Sequence, residues 1–417
     1  MEIFKPGKLT IVMDGGAGSS AKGLRGAYLW KYFKEDHSKF STNTFLSNAA
    51  HTITHKDGRE YIHQCLSSIT SVGGYEKQYL SPGCAWSKDE ILNEMKLCDM
   101  NPSKLGINPN AIIVTQNDID YEKGLVDFEG NKKEIMDSAN LRIGSTLHGV
   151  GAARARRVLR RSDVVLAKDL PELKDYISNT NFAMMARLNK GESGLGEIAQ
   201  GYQLSMMSRF YPKTTSRNCT VAAFLDDSML PPTVIGPTIV NFRTFPIRVN
   251  NNKYVRKSDG KILTWDEYAA TPDHDKDIIR GDSGAHYADQ AELTWDQISD
   301  TAGEKVSECT SLTKLPRRVF TFSKSNLKEA LVYNNTGDDM YISVNFINYV
   351  DAAVKEKSTK NEVLTSKVVS WIKENIWSAD LVEYYKSWKV DVKGLFLGTG
   401  RSIDDSIFLS LEDLKNL

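Results

Sequence analysis

After Asp14 the chain reads Gly15-Gly16-Ala17-Gly18-Ser19-Ser20-Ala21-Lys22-Gly23. Glycines this close together let backbone N–H groups converge on one point, which suits an anion such as phosphate. Lys22 adds a point charge, and Ser19 or Ser20 a hydroxyl. The spacing departs from the strict P-loop, G-x-x-x-x-G-K-[ST], so the stretch alone also suits a plain turn. Asn48-Ala49-Ala50-His51-Thr52 offers an imidazole, a group that titrates near neutrality and can move a proton. A lone histidine beside two alanines also describes a core position. Ile143-Gly144-Ser145-Thr146-Leu147-His148-Gly149-Val150-Gly151 runs into a helix with five arginines between Arg154 and Arg161. Hydroxyls, amides and guanidinium forks together suit a dianionic phosphate. Such a basic helix also suits solvent or nucleic acid. Gly196-Glu197-Ile198-Ala199-Gln200-Gly201, with Leu204, precedes Tyr211-Pro212-Lys213-Thr214-Thr215-Ser216-Arg217-Asn218. Gly398-Thr399-Gly400 is a late turn. His63 stands in no comparable pattern and reads as structural.

These residues need elements to hold them. Leu9–Met13 is a short apolar, β-branched run of the kind buried in a parallel sheet. Gly26–Phe33 reads as the helix after the glycine turn. Ala111–Thr115 reads as a strand, with weaker ones at Val164–Ala167 and Thr233–Gly236. Met340–Phe346 and Gly394–Leu397 read as late strands, and Ser87–Cys98 and Asn361–Lys373 as helices. Alternation of this kind predicts an α/β fold with a large, mainly parallel central sheet flanked by helices. One catalytic unit is expected over 1–417, with a surface insertion at 250–289, rich in Asn, Lys, Asp and Gly, on the sheet's edge.

With 53 basic and 53 acidic side chains the formal net charge is zero. That argues against a surface built to hold nucleic acid, which needs an unbalanced positive face. No apolar run reaches the roughly 18 residues of a membrane helix. Met1–Lys8 shows no signal-peptide core. The five cysteines have no C-x-x-C spacing and read as reduced thiols. A cytoplasmic protein is expected, in the host cytoplasm if a phage encodes it.

The motifs together resemble the adenylosuccinate synthetase family. Gly18, Lys22 and Gly23 match its opening W-G-D-E-G-K-G-K, with Ser19 on the catalytic aspartate, Ser20 on the glutamate and Ala21 between. Asn48–Thr52 is similar to N-A-G-H-T, whose histidine is the general acid at the 6-oxygen. Ile143–Gly151 resembles I-G-T-T-G-R-G-I-G-P. Thr146, with Ser145 beside it, falls on a threonine that holds the nucleotide monophosphate, and Arg160 on an arginine from the other subunit. Gln200 falls on the glutamine that bonds the 6-oxygen. Leu204 and Thr215 fall in F-E-G-A-Q-G-x-x-L-D and the second phosphate-binding threonine. Gly398, Thr399 and Gly400 resemble S-T-G-P, which touches the base of the triphosphate. The resemblance implies a P-loop-related fold, a homodimer, and Mg2+ held at Ser19 and Ala50. It implies catalytic roles for His51, Lys22, Ser19 and Gln200. Nucleotide contacts would come from Gly18, Ser20, Ala21, Gly23, Asn48, Ala49 and Thr52.

Three departures shape the expected reaction. Ser19 replaces the aspartate that takes the N1 proton, and a hydroxyl is no base at neutral pH. The arginine loop that clamps aspartate should lie near Asp282–Trp295, where no arginine stands. The guanine reader T-K-x-D is not evident, the nearest stretch being Val319–Leu327. The chain therefore looks like the phage-borne relatives that make 2-aminoadenine nucleotides. The expected reaction joins L-aspartate to C6 of dGMP or GMP, with ATP or dATP. Serine leaves volume for the 2-amino group beside N1, and a site built for a polar group discriminates against its absence. Asp14, a water or the substrate phosphate could take the N1 proton. Rival readings are ordinary synthesis from IMP with GTP, and a silent nucleotide- or nucleic-acid-binding homologue.

Overall fold

Leu9–Asp14 is buried along its whole length. Leu9, Ile11 and Met13 enter one hydrophobic cluster, while Val12 enters another with Leu24, Ala27 and Tyr28. A strand covered on both faces has no solvent side to alternate with, which is why this run is apolar at most positions. In this computed structural model residues 2–134, 138–249, 253–258, 261–263, 267–268, 270, 278–281, 283–309 and 317–417 are described.

The strand sits at the middle of a nine-stranded sheet. In spatial order the strands are Ser406–Ser410, Val392–Gly398, Met340–Asn345, Ile235–Arg243, Leu9–Asp14, Ser193–Glu197, Ser38–Asn43, Lys77–Leu80 and Leu105–Ile107. All neighbours are parallel except the Ser406–Ser410 edge, which is antiparallel. Parallel strands aim their carboxyl ends the same way, and ligands of such sheets bind beyond those ends. Asp14, Asn43, Glu197, Arg243, Asn345 and Gly398 all close their strands there.

The expected strand at Ala111–Thr115 exists as Ile112–Val114. It lies in a separate small sheet with Ala85–Ser87 and Val165–Leu166. The first helix begins at Lys22, four residues before the expected start at Gly26. Asn361–Lys373 is split between helices Lys360–Val363 and Ser366–Asn375. Within 250–289, Lys253–Arg256 pairs antiparallel with Ile262–Leu263 and Ile278–Gly281 as a three-stranded sheet of its own. Its Val255 packs on Leu141 and Leu147, close to the Ser145-Thr146 loop. Residues 250–252, 259–260, 264–266, 269, 271–277 and 282 lie outside the described residues. No helix among the described residues is long and apolar enough to cross a membrane.

Ser193–Glu197 is a strand because its glycines admit large neighbours. A Cβ on Gly194 would stand 2.7 Å from the Phe40 ring, and one on Gly196 would stand 2.5 Å from Ile11 Cδ1. Gly196→Ala should therefore cost about 1–3 kcal/mol by overpacking. The measurement is the urea midpoint, falling at constant slope. An unchanged midpoint would show that Ile11 and Phe224 have room to move.

Candidate active site

The loop after Leu9–Asp14 is built to present backbone. Asp14 Oδ1 accepts the Gly16 N–H at 2.6 Å and closes the first turn. Gly18, Ser19 and Ala21 all take left-handed conformations, with φ of 91°, 53° and 60°. Two of these are not glycine, and such backbone persists only where the surroundings enforce it. The Lys22–Phe33 helix then starts with no side-chain cap on its first amides. Uncapped amides at a helix N-terminus are an anion site in waiting.

The next strand's turn lies flush on this loop. A Cβ on Gly201 would stand 2.4 Å from Gly16 O and 2.8 Å from Gly18 N, so only glycine fits. Gln203 N–H bonds Gly16 O at 3.0 Å. Gln200, itself left-handed at φ 62°, is thereby held over the loop. Its Nε2 donates to Asn48 Oδ1 at 2.6 Å, and Asn48 Nδ2 donates to Thr215 Oγ1 at 3.4 Å. Thr215 N–H bonds Leu204 O at 2.8 Å. Cys219 Sγ lies 3.6 Å from Gln200 Oε1. Residues from three distant motifs, Asn48, Gln200 and Thr215, thus form one polar row.

His51 is buried against the loop's end. A Cβ on Gly23 would stand 2.6 Å from His51 Cβ, which is why glycine follows Lys22. The imidazole rests edge-on to Phe45 at 4.5 Å, and neither ring nitrogen has a hydrogen-bond partner among the described residues. Burial, and then the Lys22 charge, hold its pKa well below the ordinary range. Burial also lowers Lys22, against the opposing pull of Asp14, Cys219 and Glu197. A phosphate arriving here would favour the charged form of both. Asp14 Oδ2 and Ser20 Oγ are buried without a partner among the described residues.

Ser19 faces arginine. Arg317 Nη1 donates to Ser19 Oγ at 2.5 Å, and Arg243 Nη1 donates to Ser19 O at 3.0 Å. Arg243 is also paired with Glu308. Burial lowers Arg317, with Glu308 opposing. The sequence reading finds no arginine near Asp282–Trp295. The structure brings Arg318 to that stretch, its Nη1 donating to Ser283 Oγ and Gly284 O at 3.1 and 2.7 Å. Asp282 itself lies outside the described residues. The adjacent pair Arg317-Arg318 was the available signal.

Asn345 joins the loop to the late turn. Its Nδ2 donates to Ser20 O at 2.6 Å, and a Cβ on Gly398 would stand 2.3 Å from its Oδ1. Thr399 Oγ1 is bonded to Lys357 O, and its backbone is taken as well, its N–H by Asp405 O and its carbonyl by the Glu356 N–H. Val319–Leu327, the stretch nearest the guanine-reader pattern, instead spans the Arg318–Phe320 strand and the start of the Lys324–Tyr333 helix.

At the arginine helix, Val150–Val158, the N-terminal amides are taken. Glu122 accepts from Gly149 and Gly151 N–H at 2.9 and 2.7 Å. A phosphate is left with the loop before it, where Thr146 is exposed. Gly151 touches Ser216, next to Thr215. Arg160 lies beyond the other end of this nine-residue helix, roughly 13 Å further along. The structure therefore does not bring Arg160 to Thr146 of its own chain. Thr52 is exposed on the His51–Thr54 strand, and Ala50 is exposed before it.

No family model matches the chain. The N6-succino-2-amino-2'-deoxyadenylate synthase of Acinetobacter phage SH-Ab 15497 is 28% identical over 389 residues, covering 86% of this chain and 89% of that protein. The adenylosuccinate synthetase of Methanococcus vannielii is 28% identical over 250 residues, covering 59% and 68%. Cyanophage S-2L succinoaminodeoxyadenylate synthetase, solved with dGMP and dATP, superposes with a TM-score of 0.69 at 24% identity, covering 97% of each chain. Over most of its length the chain resembles the adenylosuccinate synthetase family. Within it, the phage enzymes match over more of the chain than the archaeal one does.

Replacing His51 by alanine should lower kcat by about 10²–10⁴, the range for a group that moves a proton in the transition state. Monophosphate affinity, measured by calorimetry, should change little. A near-normal kcat would make His51 a core residue.

Proposed function

We propose that this enzyme is a C–N ligase that condenses L-aspartate with C6 of a guanine nucleotide, dGMP or GMP, driven by ATP or dATP. The observation that carries the reading is Ser19. A small hydroxyl, held from behind by Arg317, stands where the family has a carboxylate. Guanine differs from hypoxanthine by the 2-amino group beside N1, and Ser19 leaves that group both room and an acceptor. The phage relatives' names, and the dGMP and dATP bound to the cyanophage enzyme, support the same substrates.

The chemistry has two steps. The 6-oxygen attacks the γ-phosphate, while Lys22 and the uncapped helix amides offset the charge and His51 assists at the oxygen. The aspartate amine then displaces phosphate from C6. Arg317 is the residue we assign to the amino acid's carboxylates, by a charge-assisted contact. Mg2+, when bound, would offset the charge that builds up on the phosphate oxygens. The hard oxygens that fit it are Asp14 Oδ2 and Ser20 Oγ, both partnerless among the described residues. Ser19 Oγ fits less well, being already turned to a cation.

Phosphate release on mixing enzyme, ATP, aspartate and either dGMP or IMP tests the substrate. The higher kcat/KM should go to dGMP, and Ser19→Asp should reverse the order by crowding the 2-amino group. A higher kcat/KM for IMP in the parent enzyme contradicts the reading.

Arg160 supports a homodimer. Val158 and Leu159 beside it are 78% and 62% exposed, an apolar pair fit to be covered by a second copy. If Arg160 completes the partner's monophosphate site, mixing Arg160→Ala with His51→Ala subunits should restore activity. In each heterodimer one site carries both lesions and the other neither. No complementation would place Arg160 outside the site.

A further inference from the structure

His63 was read above as structural, and its surroundings say otherwise. His51–Thr54 and Glu60–His63 form an antiparallel hairpin in which His51 and His63 are directly opposite. Residues so paired project from the same face, with Cβ atoms roughly 4.5–5.5 Å apart. His63 Nδ1 bonds Glu94 Oε1 at 2.8 Å, with both side chains at least nine-tenths buried. A carboxylate accepts, so Nδ1 carries a proton, and whenever the ring holds only that one Nε2 is a bare lone pair. Glu94 is held rigidly, since it also accepts the N–H groups of Gln64, Cys65 and Leu66 at 3.0, 2.7 and 3.2 Å. Glu197, anchored by Ser68 N–H at 2.8 Å, brings a second carboxylate to the neighbourhood of His63 from another strand.

The remaining nitrogens do not balance. His63 Nε2 and both nitrogens of His51 are buried without a partner among the described residues. Buried polar atoms are rarely left so, because each costs on the order of 1–3 kcal/mol. Among the described residues the aromatic contact on the His51 ring is the edge of Phe45, which constrains its plane but cannot choose between its nitrogens.

We propose that His63 is a positioning residue for His51. Locked by Glu94, its Nε2 makes no hydrogen bond to His51 in this structure; a rotation of the His51 ring would let it accept an N–H of that ring and leave the other nitrogen aimed at the substrate's 6-oxygen. The inference rests on the reading of His51 as the residue at that oxygen. The arrangement is one of orienter, orienter and acting group, three side chains drawn from one helix and one hairpin. Nothing in it requires His63 to touch substrate.

A double-mutant cycle with dGMP, ATP and aspartate tests it. His63→Phe keeps the ring's bulk and removes the lone pair. It should lower kcat by roughly 10- to 100-fold, the cost of a misaimed group, with the KM values for nucleotides nearly unchanged. His63→Gln, which can still accept from His51 and donate to Glu94, should recover part of the loss. In the His51→Ala background neither change should cost anything further. If His63→Phe does not accumulate as folded protein, His63→Gln and its double mutant with His51→Ala carry the same comparison. Normal kcat in both single variants overturns the proposal, as does an equal loss when His51 is absent. A fully active His51→Ala enzyme would instead sink the reading of His51 itself.

Discussion

Everything at the site is hung on one backbone contact, Gly201 laid against Gly16 and Gly18. The approach is so close that a single methyl would fall 2.4 Å from a carbonyl oxygen. It forces the phosphate loop, which follows the central strand, to share a surface with the turn after the neighbouring strand. Gln200 is tipped into a left-handed conformation by that contact, and through Asn48 it reaches Thr215. Two strand ends one spacing apart thereby become one site. The parallel sheet supplies the rest by aiming every strand's carboxyl end the same way.

Charge within this frame is arranged for a ligand. Lys22 is buried with its amino group destabilised by lost solvent, and the helix amides beside it are uncapped. Arg243 and Arg317 converge on Ser19 from the far side, with Glu308 offsetting part of their charge. A carboxylate at position 19 would be neutralised by those arginines and would fill the space that the 2-amino group needs. A serine leaves both the space and a guanidinium. On the proposed reading, the same substitution that removes a base also changes which purine fits.

The motifs in the sequence picked out residues that the fold gathers at one place, though less of how they are held. The loop at Gly15–Gly23, His51, Gln200 and Thr215 were legible because backbone turns and proton carriers need particular residue types. Strands such as Ser38–Asn43 and Ser193–Glu197 were not. The first is polar yet nearly all buried, and the second owes its glycines to Phe40, Ile11 and Phe224, which lie elsewhere in the chain. Arg317 was missed because it reaches Ser19 across 298 positions of sequence. The glycine loop before the arginine helix suggested free helix amides, and no local pattern could show that Glu122, 27 residues earlier than Gly149, already occupies them. Asn345, which ties the phosphate loop to the Gly398 turn, carries no motif at all. Residues of the candidate site were readable, while residues that hold them were set by packing.

The central claim is that the 6-oxygen of a guanine nucleotide is phosphorylated and then displaced by an amine. The most direct measurement follows that oxygen. With dGMP carrying oxygen-18 at position 6, together with ATP and aspartate, the released inorganic phosphate should contain the label in proportion to the succinylated nucleotide formed. Unlabelled phosphate, with the heavy oxygen still on the nucleotide or lost to water, would contradict the account.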